Sequence, residues 1–456
     1  MYTRITQTVL ILTIIFMRQN ILMAQTAKGQ LDNYISIAFT ENEGLKQQQF
    51  NLDKSLLALK EAKAMYLPSV SMLGSYTKAA GGRTIDVSLG DLLNPVYSSL
   101  NKLTSSNSFP QLSNESFLLN ADNFYDLKLR TSLPLINAEI HYNKLIKQQL
   151  ISSQQAAVNV YKRALVKDIK TAYYQYYQSL QAIAVYQNAL VLIKENIRVN
   201  NSMLKNGLRN GTALLRSQTE EQKTKASLFQ AQRNSQNARA YFNFLLNRPL
   251  KDTVIVEQQQ LAASLAEPDT SAGTTAREEL KQLQTMQQVY ALDYQRQKSG
   301  FIPKLNTFID LGSQATDFAV NSKSRYYLWG VNLQWDIFTG GQRKYRSAQS
   351  RISMNSAAAK LDETQQALQL QLDQSYNNFQ SSRATYKSMA AQLAFATRYY
   401  NDQLKAYKAG ELLYLELVDA ENQLTGTKLQ LAEAEANLLI TLAELERNQA
   451  AYPMDK

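Results

Sequence analysis

Between Tyr326 and Phe338 the chain reads YYLWGVNLQWDIF. Its large apolar residues fall on alternate positions: Tyr327, Trp329, Val331, Leu333, Trp335 and Ile337. Gly330, Asn332, Gln334 and Asp336 lie between them. Successive side chains of a strand point to opposite faces, so the run predicts a strand with one apolar and one polar face. Three further segments share this period. Tyr125, Leu127, Leu129, Thr131, Leu133 and Leu135 alternate with Asp126, Lys128, Arg130 and Ser132. Val70, Met72, Gly74 and Tyr76 form the third strand, and Leu305, Thr307, Ile309 and Leu311 the fourth.

Outside these strands the period is seven. Leu372, Phe379, Tyr386, Leu393, Tyr400 and Tyr407 recur at heptad spacing, and an offset of 203 residues carries them onto Ile169, Tyr176, Ile183, Leu190, Ile197 and Leu204. The same offset carries Gly410 onto Gly207, and Leu67-Pro68 has its counterpart in Ile302-Pro303. The chain is therefore a duplicated unit. The first repeat spans 25–250, with an opening helix at about 32–65, a β-hairpin over 66–136, a long helix over 138–205 and a return helix over 210–247. A linker over 251–275 leads to the second repeat, 276–456, with an opening helix to about 299, a hairpin over 301–338, a long helix over 342–408 and a return helix over 411–449. Leu417, Leu424, Leu431, Leu438 and Leu445 give the last helix its own ladder. Such repeats predict left-handed coiled-coil packing. The long helix of the second repeat measures roughly 100 Å at about 1.5 Å per residue, close to the summed length of its two shorter partners stacked end to end.

Composition narrows the function. With 16 Gly and 8 Pro in 456 residues, and a mean hydropathy of −0.35 despite 45% apolar residues, the apolar groups must lie in stripes. There is no Cys and one His (His141), which excludes disulfides, thiolate metal sites and multi-histidine centres. No nucleophile–base pair or phosphate loop stands out, so an enzyme is not expected, and no cofactor. The net charge of +11 is scattered among Gln and Asn rather than gathered in a basic block, so no nucleic-acid partner is expected. Arg4, the apolar run Ile5–Phe16 and Ala24 read as a secretory signal over 1–24.

The alternating strands then decide the compartment. Four strands have no second sheet to cover them, are too few to close a barrel alone, and leave edges that lipid does not tolerate. Two or three chains together reach about eight or twelve strands. Tyr327, Trp329 and Trp335 fit an aromatic girdle at a bilayer surface. The Ser-, Asn-, Leu- and Gly-rich segment 79–121 fits a long external loop.

Several of these stretches resemble one family. GVNLQWDIFTGGQRK (Gly330–Lys344) resembles the strand-to-helix junction of TolC-like outer membrane efflux proteins. So does YKAGELLYLELVDAENQL (Tyr407–Leu424), with its glycine, acid-containing aliphatic run and Asp-Ala, as do the starts at Tyr66-Leu67-Pro68 and Phe301-Ile302-Pro303. The resemblance covers almost all of the chain beyond the signal. It implies a mainly α protein with a transmembrane β-barrel: a homotrimer with a twelve-stranded barrel in the outer membrane and an α-helical tunnel across the periplasm. Such proteins are passive exit ducts that partner a periplasmic adaptor (membrane fusion) protein and an inner-membrane pump. The turns at Gly207 and Gly410, with Tyr407 and Arg209, would form the periplasmic tip. Glu416 and Asp419 match positions that often hold acids facing the tunnel entrance; the same positions also suit acids that complement a helix dipole and face water. Glu411 and Glu421 are expected in solvent. Tyr407 matches a tip tyrosine, while its heptad phase equally fits packing. Leu412 stands where some relatives carry a basic residue, so a gate built on that charge would have to draw it from Arg209 and Arg216 of the first repeat. The rival reading is a periplasmic coiled-coil structural or adaptor protein without a pore, against which the duplication and the strands both weigh.

Overall fold

The computed structural model describes residues 29–120, 122–208, 210–257 and 274–453. The expected signal segment, most of the expected linker and Arg209 lie outside the described residues. The elements run α1 (Gln30–Glu41), α2 (Glu43–Ala64), β1 (Ser69–Thr77), β2 (Thr84–Val87), α3 (Leu89–Thr104), β3 (Glu115–Leu118), β4 (Phe124–Ile136), α4 (Ala138–Lys205) and α5 (Thr212–Leu245). The second repeat follows with α6 (Glu278–Lys298), β5 (Lys304–Thr316), β6 (Arg325–Gln334), α7 (Gln342–Ala409) and α8 (Tyr414–Asn448). Helices α4 and α7 each run for 68 residues, and neither contains a Gly or Pro, which is why nothing breaks them. Among the described residues no helix is long and apolar enough to cross a membrane.

The chain divides into two compact units. One comprises the described residues within Met1–Leu56, Gln149–Val289 and Ser353–Lys456. Its core is built on Tyr34, Ile169, Tyr173, Phe242 and Leu246, all at most 3% exposed. A second cluster gathers Tyr400, Tyr407, Tyr414, Leu417 and Leu424, and a third Phe379, Leu438 and Leu445. The heptad residues thus supply the seams. Arg163 clamps Glu278 through two bonds of 2.5 and 2.6 Å, and the buried Arg277 holds Glu279 at 2.7 Å. Buried charges are retained where both partners are present.

The other unit comprises Leu57–Gln148 and Tyr290–Ile352. It holds a four-stranded antiparallel sheet in the order β1-β4-β5-β6. Pro68 and Pro303 precede β1 and β5, where they stop the preceding helix and offer no N–H to a ladder.

In its secondary structure the chain departs from the sequence expectation in three places. The opening helix of the first repeat is two helices, because Asn42 caps α2: its Oδ1 accepts from Leu45 N at 2.9 Å while its Nδ2 donates to Leu245 O. Segment 79–121 is not simply a loop. It folds β2 against β3 and carries α3, held by the Asn94 and Asn101 side chains on the main chain of Leu112 and Phe109. Strand β6 ends at Gln334 rather than Phe338, since Lys304 is the last residue of β5 available to pair with it.

Candidate functional sites

The sheet presents two chemically distinct faces. Direct cross-strand partners share a face, so the registers assemble rows. Met72, Leu129, Leu311 and Tyr327 form one row, and Val70, Thr131, Ile309 and Trp329 the next. Leu133, Thr307 and Val331, then Leu305 and Leu333, continue the same face. These residues are not covered by the chain: Tyr327 is 79% exposed and Trp329 66%. An uncovered apolar face of this extent calls for an apolar environment. At one end of it Phe318 stacks between Tyr76 and Tyr125, with centroids 5.4 and 5.6 Å away. At the other end Trp335 lies just beyond β6 and donates its Nε1–H to Phe301 O at 3.0 Å. Of the three expected girdle residues, Tyr327 and Trp329 therefore sit within the strand and Trp335 at the strand-to-helix junction.

The opposite face is polar and tied together. Arg130 reaches Asp310 through Nε and Nη2, both at 2.7 Å, and its guanidinium lies 4.8 Å from the Phe308 ring centroid. Asp126 accepts from Lys128 at 2.5 Å and from the Tyr326 hydroxyl at 2.7 Å. Sequence reading placed Asp126, Lys128 and Arg130 on this face but did not single out Asp310, the acid alternating within Leu305–Leu311. Strands β1 and β6 each have one edge with no ladder partner among the described residues.

The helix breaks are two copies of one device. Gly207 and Gly410 have φ of 69° and 83°, in the left-handed region. Leu208 N donates to Met203 O at 2.9 Å and Gly207 N to Leu204 O at 3.1 Å. Glu411 N donates to Ala406 O and Gly410 N to Tyr407 O, both at 3.1 Å. This double bond pattern around a left-handed residue is the Schellman termination, and glycine adopts it without a Cβ penalty.

Around these breaks lies a buried polar cluster. The Tyr407 ring is fully buried, and its hydroxyl donates to Asn200 Oδ1. Asn200 Nδ2 in turn reaches Ser217 Oγ at 3.4 Å, so α7, α4 and α5 are joined. Tyr407 is therefore packed into the helix seam, as its heptad phase predicts. Glu421, expected in solvent, is 5% exposed: Asn196 Nδ2 donates to its Oε2 at 2.6 Å, while Oε1 is buried without a partner. The reason is its place between Leu417 and Leu424 on the leucine seam, a spacing visible in the sequence. Burial, with Glu220 nearby adding to it and the Asn196 bond opposing it, pushes the Glu421 carboxyl up to about 7. Glu416 and Asp419 are exposed, on the side of α8 away from Leu417 and Glu421. Glu411 and Arg216 are also exposed.

The profile of the family described as Outer membrane efflux protein matches residues 274–448, the second repeat through the end of α8. No curated protein sequence matches the chain. Among solved structures the chain is similar to CusC, at 14% identity with a TM-score of 0.75, over 93% of this chain and 92% of that one. It is also similar to the CmeC outer membrane channel of Campylobacter jejuni (13%, TM-score 0.73, 94% and 87% covered). The open-state MtrE outer membrane channel of Neisseria gonorrhoeae matches at 15% with a TM-score of 0.70, over 92% and 88%. At these identities the likeness establishes a shared fold, and it runs through both repeats. The second repeat thus matches the Outer membrane efflux protein family in sequence, and the chain as described shares the fold of these outer membrane channels.

Proposed function

We propose that the protein is the outer membrane exit duct of a tripartite efflux or secretion system. Three copies close a twelve-stranded barrel in the outer membrane, and their helices line a passage through the periplasm. The observation that carries this reading is the sheet with an exposed apolar face, a polar face and two unpartnered edges, β1 and β6. Lipid leaves no unsatisfied backbone, so those edges must pair with neighbouring copies, β6 of one against β1 of the next. The apolar rows then meet lipid, and the Arg130–Asp310 and Asp126–Lys128 pairs meet the water-filled lumen.

In this reading the Gly207 and Gly410 turns form the periplasmic tip, and a periplasmic adaptor and inner-membrane pump engage the helices. Glu416 and Asp419, three residues apart on the exposed side of α8, form stacked carboxylate rings at the entrance. Transport is passive. The test is extraction and conductance. The protein should require detergent for release from membranes, migrate as a trimer, and give channel currents in planar bilayers. Release as a soluble monomer without detergent contradicts the proposal.

A further inference from the structure

We infer that the cavity at the strand-to-helix junction of the sheet-bearing unit binds the phosphate group of an anionic lipid. It has a volume of about 350 Å³ and lies where β5 and α7 begin. Four cations from three elements line it: Arg296 of α6, Lys304 of β5, and Arg343 and Arg346 of α7. Two carboxylates, Glu139 and Asp336, share the wall, leaving a surplus of positive charge.

Arg296 is already paired with Asp293 at 2.6 Å, and the remaining pairings leave donors available. Glu139 holds Lys304 at 2.9 Å, with side chains 62% and 43% exposed, a type of pair that exchanges partners at little cost. Arg343 donates from Nη2 to the Asp336 main-chain carbonyl at 2.6 Å, which fixes its guanidinium in the cavity wall. The Asp336 carboxylate takes no part in that bond. Arg346 has no hydrogen bond or ion pair among the described residues. Guanidinium groups present planar, paired donors that match phosphate oxygens.

The surroundings favour a lipid over a soluble phosphate. Trp335, Ile337 and Phe338 flank Asp336 in sequence and are 56%, 76% and 87% exposed, an apolar shelf beside the cationic cavity. The bond from Trp335 to Phe301 O anchors that shelf. An indole with a polar handle and neighbouring bare apolar side chains belongs at headgroup depth. This inference rests on the reading that the apolar sheet face meets lipid.

The test uses the full-length protein in neutral detergent, with phosphatidylglycerol as probe, retention read by native mass spectrometry, and glycerol phosphate as the soluble comparison. Each wall cation removed should weaken retention about fivefold, and R346Q with K304Q together about thirtyfold. K344Q, an exposed cation of the same helical turn that does not line the cavity, should stay within about twofold of wild type. Channel conductance, measured on the same samples, should remain, which separates loss of this site from failure of the channel reading. Equal weakening by K344Q and R346Q would leave only diffuse charge attraction and overturn the site. Glycerol phosphate binding as tightly as the lipid would overturn the lipid assignment, and so would failure of wild type to retain phosphatidylglycerol.

Discussion

Asn196 on α4 donates its side-chain amide to Glu421 on α8 at 2.6 Å, and the second oxygen of that carboxylate is buried with no partner. The bond spans two helices whose packing closes the region of the Gly207 and Gly410 turns. Burial raises the folded carboxyl from 4.5 to about 7. A carboxyl raised on folding stabilises fully below its unfolded value, and that stabilisation is lost as pH rises through the folded value. The neighbouring titratable groups do not interfere: Tyr400 is pushed up to about 12, Tyr414 is also pushed up, and Glu220 acts in the same direction as burial. Wild type should therefore lose on the order of 2–3 kcal/mol between pH 5 and pH 8 relative to E421Q. Urea unfolding of both proteins across that range measures it. Parallel curves for the two would show that Glu421 does not carry the effect.

The two Schellman turns predict a backbone cost without a steric one. At both Gly207 and Gly410 an added Cβ meets nothing within 4 Å, yet both sit at positive φ. G207A and G410A should each destabilise by about 1 kcal/mol, and the Asn variants by less, because Asn tolerates the left-handed region. Thermal unfolding of the four variants checks the order. Ala variants as stable as wild type would remove the strain argument.

On the polar face of the sheet, D310A leaves Arg130 without its bidentate partner in a site where Asp310 is 1% exposed. The expected loss is on the order of 2 kcal/mol, with D310N losing less because one acceptor remains. The sensitive readout is the temperature at which the folded protein converts to the unfolded electrophoretic form in SDS.

For the exposed acids, E416A with D419A should lower cation selectivity and weaken block by divalent ions in planar bilayers, with folding unchanged. Both side chains lie off the buried seam, so stability should move by less than about 0.5 kcal/mol. Unchanged selectivity places them in ordinary solvent rather than at the entrance.

Much of this architecture is legible from periodicity alone. The heptads through Phe379, Tyr400 and Tyr407 and through Leu417, Leu424, Leu438 and Leu445 are the buried seams, because regular helices repeat their contacts at sequence spacing. The alternating strands read equally well, because the face of a residue follows from its parity. What escapes periodicity is what depends on a distant partner. The end of β6 is set by where β5 begins, so Trp335 and Ile337 continue the alternation without continuing the ladder. The partner of Arg130 lies 180 residues away at Asp310, and only the register brings them together. Asn42 interrupts the opening helix through a bond to Leu245 that no local pattern announces. Glu421 is the instructive miss. Its charge suggests water, whereas its position four residues after Leu417 and three before Leu424 places it on the seam.

The central claim is that β1 of one copy pairs with β6 of another. The chain has no Cys, so introduced cysteines report without interference. Ser71 on β1 and Leu328 on β6 lie in one row of the sheet with two strands between them, roughly 14 Å apart, too far for a disulfide within one chain. With S71C held fixed, a second cysteine is moved along β6 from Arg325 to Gln334 and oxidised in membranes. The account predicts covalent species up to a trimer and no larger, peaking at one register on alternate positions of β6. Chains that remain monomeric at every position of β6 would contradict it.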